Sequence, residues 1–134
     1  MRTLQPPGWP RPRGYANGIA AEGGGTLVFT AGQIGWAPDG SFPSSDLAGQ
    51  VRTTLENVVA VLREAGGRPE HVVRLTWYVV DREEYLAAAR EIGAAYRAVM
   101  GDHYPAMAVV EVAGLLEPQA RVEIEATAVV PDGA

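Results

Sequence analysis

The chain has 134 residues and a mass of 14.2 kDa, with 47% apolar residues, 20% charged residues and a formal net charge of −5. That size and balance suit one folded domain with a real core, and no apolar run reaches the ~18 residues a membrane span needs. All eleven basic residues are arginine and cysteine is absent, which excludes thiol nucleophiles, disulfides and lysine Schiff bases, while the acidic balance argues against a partner bound through nucleic-acid phosphates.

Residues 1–14 are rich in Pro, Gly and Arg and read as an extended N-terminal arm on a single domain spanning 1–134. The opening MRTLQPPGWP has no apolar stretch of the kind a secretory leader carries, so a cytoplasmic protein is the expectation. Residues 15–21 suit a short strand. Gly23, Gly24 and Gly25 then turn the chain into TLVFTAGQI, where Leu27, Phe29 and Ala31 alternate with Val28 and Thr30, and the pair reads as strand–turn–strand. These glycines precede a strand, not a helix, and no Lys follows, so they make no phosphate loop. Leu47, Val51, Leu55, Val58, Val59 and Leu62 recur at three and four residues and predict a helix over 46–65. Ser45 and Asp46 supply its N-cap and Gly66-Gly67 its stop.

Residues 71–80, HVVRLTWYVV, are β-branched and aromatic and predict a central strand. Asp81 and Glu84 form a variant capping box at the head of a second helix, whose buried stripe is Tyr85, Ala89, Ile92, Tyr96 and Val99 and whose end is Gly101. Strands at 106–113 and 120–130 complete the order β-β-α-β-α-β-β. The order predicts an α+β fold, a mixed sheet with both helices on one face. Two helices cannot also cover the second face, which is substantially apolar, so a loop or another subunit must, and an oligomer is the favoured answer.

Chemistry has few places to sit. Period two puts Arg121, Glu123, Glu125 and Thr127 on one strand face, either as a solvated face or as a carboxylate site at a subunit cleft. Gly32, in Thr30-Ala31-Gly32-Gln33, marks a strand end, a bulge or the close approach of a ligand. His71 and His103 lack metal-ligand spacing and read as loop residues. Ser41, Ser44 and Ser45 lie in a turn-rich loop without a nucleophile elbow. No metal and no cofactor is expected.

Six segments in order resemble the RidA/YjgF family of reactive-intermediate deaminases. They are Gly14-Tyr15 with Asn17-Gly18, Phe29 to Gln33, Gln50 to Asn57 with Val61 to Gly66, Val73 to Asp81, Pro105-Ala106 with Val110-Glu111-Val112, and Val122 to Ala126. The resemblance implies a chorismate-mutase-like fold and a homotrimer whose sheets form a central barrel, with clefts between subunits. It implies hydrolysis of 2-imino acids and their enamine tautomers to keto acids and ammonia. Glu123 would handle the attacking water, Tyr15 would close the pocket, and amides near Gly32 would bind the ligand's polar end. The family's carboxylate-clamping arginine is here Met107, followed by Ala108, and its serine before Gly-Gln is here Ala31. Arg13 and Arg121 are the candidate stand-ins for the clamp. The implied function is therefore a RidA-like hydrolase of an imine or enamine with altered substrate preference. The other reading is a non-catalytic trimer that binds a small metabolite or a partner in the same cleft.

Overall fold

The computed structural model describes residues 1–133. Three early strands, β1 (Arg2–Leu4), β2 (Gly18–Ala20) and β3 (Thr26–Phe29), precede helix α1 (Leu47–Arg63). A 3-10 turn at Pro69–His71 leads into β4 (Val72–Val79), followed by α2 (Arg82–Ala87), α3 (Ala89–Met100), β5 (Ala106–Glu111) and β6 (Val122–Val130). The main sheet has the order β3-β6-β4-β5. β6 runs antiparallel to both neighbours, and β4 and β5 are parallel, joined over one face by α2 and α3. This is the mixed α+β sheet that the element order implies.

Alternation decides which face is buried. On β6, Val122, Ile124, Ala126, Ala128 and Val130 face the helices and are buried, while Glu123, Glu125, Thr127 and Val129 face away. On β4, Leu75, Trp77 and Val79 join the same core. α1 lays Val51, Leu55, Val58 and Leu62 on them, each fully buried. The Asp46 carboxylate accepts the Gly49 N–H at 3.0 Å and caps α1, and Gly66, at φ 74°, ends it by the left-handed turn a glycine takes without strain.

The far face of the sheet is open. Leu27 and Phe29 of β3 stand 57% and 68% exposed there, and Val110 of β5 is exposed on the same face at the opposite edge. Among the described residues no helix is long and apolar enough to cross a membrane.

Two details depart from the sequence reading. The arm is partly a strand: Arg2, Thr3 and Leu4 pair antiparallel with Ala20, Ile19 and Gly18. The second helix is two, α2 and α3, bent at Ala88 (φ −97°, ψ 14°). The ladder passes through the bend, since the Ala88 N–H donates to Glu84 O and its carbonyl accepts from Ile92 N–H. Past the bend the buried stripe is Ile92, Tyr96 and Met100, and Ala89 is exposed.

Candidate active site

The chain carries two separate clusters of the expected site residues. The first forms where β3 leaves the sheet. The Thr30 N–H donates to Ala126 O, and Thr30 Oγ1 accepts the Ala126 N–H, both at 2.9 Å. Gln33 exchanges two backbone bonds with Ile124, at 2.8 and 2.9 Å. From Phe29↔Thr127 to Gln33↔Ile124 the chain spends four residues against three on β6, so Ala31-Gly32 is a bulge. The expected strand TLVFTAGQI is regular only over Thr26–Phe29, and past the bulge it is reduced to the one bridge at Gln33.

Gly32 sits on the bulge because of space. A Cβ there would stand 2.7 Å from Glu123 Cδ and 2.9 Å from Cγ, and the glycine φ is not in the left-handed range. The Glu123 side chain fills the volume a residue-32 side chain would take. Neither the Ala31 nor the Gly32 N–H donates to another described residue, and Glu123 accepts no hydrogen bond from one. Glu125, next on the same face, is engaged: Tyr78 Oη donates to its Oε1 at 2.6 Å. That bond, followed by desolvation and the charges of Glu125 and Glu123, pushes the Tyr78 hydroxyl above its usual range. Tyr78 thus stays a proton donor to Glu125, leaving Glu123 as the uncommitted carboxylate of the pair.

The second cluster lies at the opposite edge. The Ala16 N–H donates to Pro105 O at 2.9 Å and Ala16 bridges Ala106, which fixes Arg13, Gly14 and Tyr15 alongside β5. Met107 pairs with Leu75 and so faces the helices. Arg13 and Met107 meet in a pocket of about 280 Å³ whose other walls include Trp77, Tyr96, Arg97 and Tyr104. Tyr15 is 41% exposed and is not part of that lining.

The structure therefore joins Ala31, Gly32 and Glu123, and separately Arg13 and Met107. It does not join the two groups within one chain. Glu123 and Met107 face opposite sides of the sheet, and β3 and β5 are its two edges, three strand spacings or about 14 Å apart. Arg121 joins neither: its Nε donates to both Glu84 carboxylate oxygens, at 2.8 and 2.7 Å, which ties the start of β6 to α2. His71 is a buried brace, accepting the Arg68 N–H at Nδ1, and the His103 ring is bonded to Val72 O. Sequence reasoning passed over Arg97, for which the Gly93/Arg97 spacing of four on one helix face was the available signal.

The same architecture recurs in known proteins. The family model described as Endoribonuclease L-PSP matches residues 11–130. The chain is 35% identical over 108 residues to a 2-iminobutanoate/2-iminopropanoate deaminase of Salmonella typhimurium, covering 78% of this chain and 80% of that one. Among solved structures it is similar to the Rid-family protein YyfB of Yersinia pestis, of unknown function, with a TM-score of 0.79, 32% identity, and 96% and 98% of the two chains covered. It is also similar to E. coli TdcF with bound serine, with a TM-score of 0.68, 31% identity, and 98% and 100% covered. The bulged Gly32 under Glu123 and the open sheet face therefore sit on a shared scaffold, and the chain belongs to the Endoribonuclease L-PSP family, the RidA/YjgF family its motifs resemble.

Proposed function

We propose that the chain hydrolyses reactive imines and their enamine tautomers, converting C=NH and water to C=O and ammonia. The similarity to the Salmonella deaminase supports the reaction. The observation that carries the assignment of residues is Glu123, seated on Gly32 with no donor of its own and beside two unpaired N–H groups. Its carboxylate takes a proton from water as the water oxygen attacks the imine carbon, and the C=N π pair moves to nitrogen. Nitrogen takes that proton from Glu123 to give the neutral carbinolamine, and Glu123 then carries the hydroxyl proton to nitrogen as the C–N bond breaks, ammonia leaves and the carbonyl forms. The N–H groups of Ala31 and Gly32 hold the polar end of the substrate.

The catalytic cleft in this reading is composite. Glu123 and Gly32 come from one subunit, and Tyr15 and Met107 from the next, in a homotrimer that buries Leu27, Phe29 and Val110 against neighbouring copies. The separation of the two clusters at opposite sheet edges supports this, as does the exposed apolar face. Met107 in place of a clamping arginine moves preference away from the smallest 2-imino acids, by at least about tenfold in affinity.

Ammonia release from imines generated in situ by an amino-acid oxidase tests the activity. Glu123→Gln abolishes the release and keeps the fold. Rates equal to buffer across varied side chains sink the reading. Sedimentation at the mass of three copies supports the composite cleft, and a monomer at micromolar concentration refutes it.

A further inference from the structure

The loss of an arginine at position 107 leaves a pocket that is far from neutral. Arg97 of α3 and Arg13 of the lead-in segment both line it, and neither pairs with a carboxylate among the described residues. Arg97 is held over Gly93: a Cβ at residue 93 would lie 3.3 Å from Nη1 and 4.0 Å from Cζ. The missing side chain lets the guanidinium fold along the helix surface at the pocket wall.

The rest of the wall is aromatic. Trp77 stacks on Tyr96 with centroids 6.3 Å apart and 24° between planes, and Tyr96 stacks on Tyr104 at 5.3 Å and 12°. Trp77 is 2% exposed, and its Nε1–H is one of two buried side-chain polar atoms without a partner among the described residues. Guanidinium groups without counter-ions and a stacked aromatic wall are together suited to an anion with a flat or branched apolar body.

We propose that this pocket is a carboxylate site built on Arg97, with Arg13 beside it, and that the Trp77–Tyr96–Tyr104 wall selects ligands with an aromatic or bulky aliphatic body. The inference deepens the deaminase reading and rests on it for substrate class: 2-imino acids derived from large apolar amino acids. Arg97 reaches from the helix the anion that a clamp on β5 would otherwise hold. It is a binding residue and takes no part in proton transfer.

Calorimetric titration of the intact protein with phenylacetate and with its neutral counterpart phenylacetamide tests the site without turnover. The wild type binds phenylacetate at least about tenfold more tightly, and Arg97→Ala removes the preference. Arg97 is exposed on a helix and alanine favours helix, so the variant folds. Equal affinity for the two probes, no binding of either, or an undiminished preference in Arg97→Ala overturns the proposal. In the oxidase-coupled assay on phenylalanine, Arg97→Ala raises KM about tenfold and leaves kcat nearly unchanged. Turnover with an unaltered KM overturns the carboxylate site and leaves the deaminase reading standing. Arg97-dependent phenylacetate binding without any ammonia release supports the site and overturns the deaminase reading.

Discussion

Gly32→Ala separates the chemistry of the bulge from its stability. The new Cβ would stand 2.7 Å from Glu123 Cδ, where carbon contacts settle near about 3.5–4.0 Å. The carboxylate must therefore retreat by roughly 1 Å. Its retreat is cheap in stability, because only the end of one partly exposed side chain moves, costing about 0.5–1.5 kcal/mol in rotamer strain. The residue-32 φ lies outside the left-handed range, so alanine meets no positive-φ strain there and the unfolded chain loses about 0.4–1 kcal/mol of entropy advantage. The two nearly cancel, and the melting temperature stays within about 4 °C. Catalysis has no such offset: a misplacement of about 1 Å costs on the order of 100-fold. Steady-state ammonia release and thermal melting on the same preparation measure both. Activity within threefold of wild type would falsify the claim that Gly32 seats the catalytic carboxylate, and a large drop in melting temperature would make Gly32 a structural residue instead.

The alkaline limb of stability belongs to tyrosine, since the chain has five tyrosines, no lysine and no cysteine. Burial, with Tyr104 adding to it, pushes the Tyr96 hydroxyl well above its usual range. The folded state keeps this proton when the unfolded chain releases it, so stability is complete below about pH 10 and falls as pH rises beyond. Urea midpoints from pH 8 to 11 fall less steeply in Tyr96→Phe, and an identical slope contradicts the assignment. Gln50, fully enclosed, donates to Ser44 O and Gln119 O and accepts the Arg121 N–H at 2.8 Å. Gln50→Leu strands these backbone groups and lowers unfolding free energy by about 2–3 kcal/mol in denaturant titration; a loss under 0.5 kcal/mol shows the loops rehydrate freely. Gly93→Ala raises stability by up to about 1 kcal/mol, because its Cβ meets only the tip of Arg97. A destabilised variant means that glycine is needed by the helix itself.

What was legible in the sequence follows from how local its cause is. α1 was readable because its cap, its three-four periodicity and its glycine stop all lie within the segment. β6 was readable because alternation of Val, Ile and Ala with Glu and Thr fixes two faces without knowing its neighbours. β1 was not, because three exposed residues pairing across a proline-rich loop leave no pattern. The bend at Ala88 has no Pro or Gly to announce it, and its hydrogen bonds are nearly those of a helix. Gly32 reads from sequence as a strand end, a bulge or a close approach, but that Glu123 is what approaches depends on a one-residue register shift between strands roughly ninety residues apart. Alternation orders residues within a strand and says nothing of parity between strands. That is why Met107 and Glu123, which belong together in the family resemblance, fall on opposite faces of one chain.

The placement of β6 carries a consequence for how the molecule is made. It is the last strand of the order, yet it lies inside the sheet, with β3 on one side and β4 on the other. Thr26 waits for Val130 before its ladder can close. A nascent chain threaded only as far as Gln119 has its helices and a parallel β4–β5 pair, but every antiparallel partnership of the main sheet is still missing. Such a late, long-range closure slows folding and leaves β3 and β4 with bare edges in the meantime. The main sheet thus closes in one step once β6 is present, and a chain interrupted before Val122 is a candidate for aggregation, not a smaller working domain.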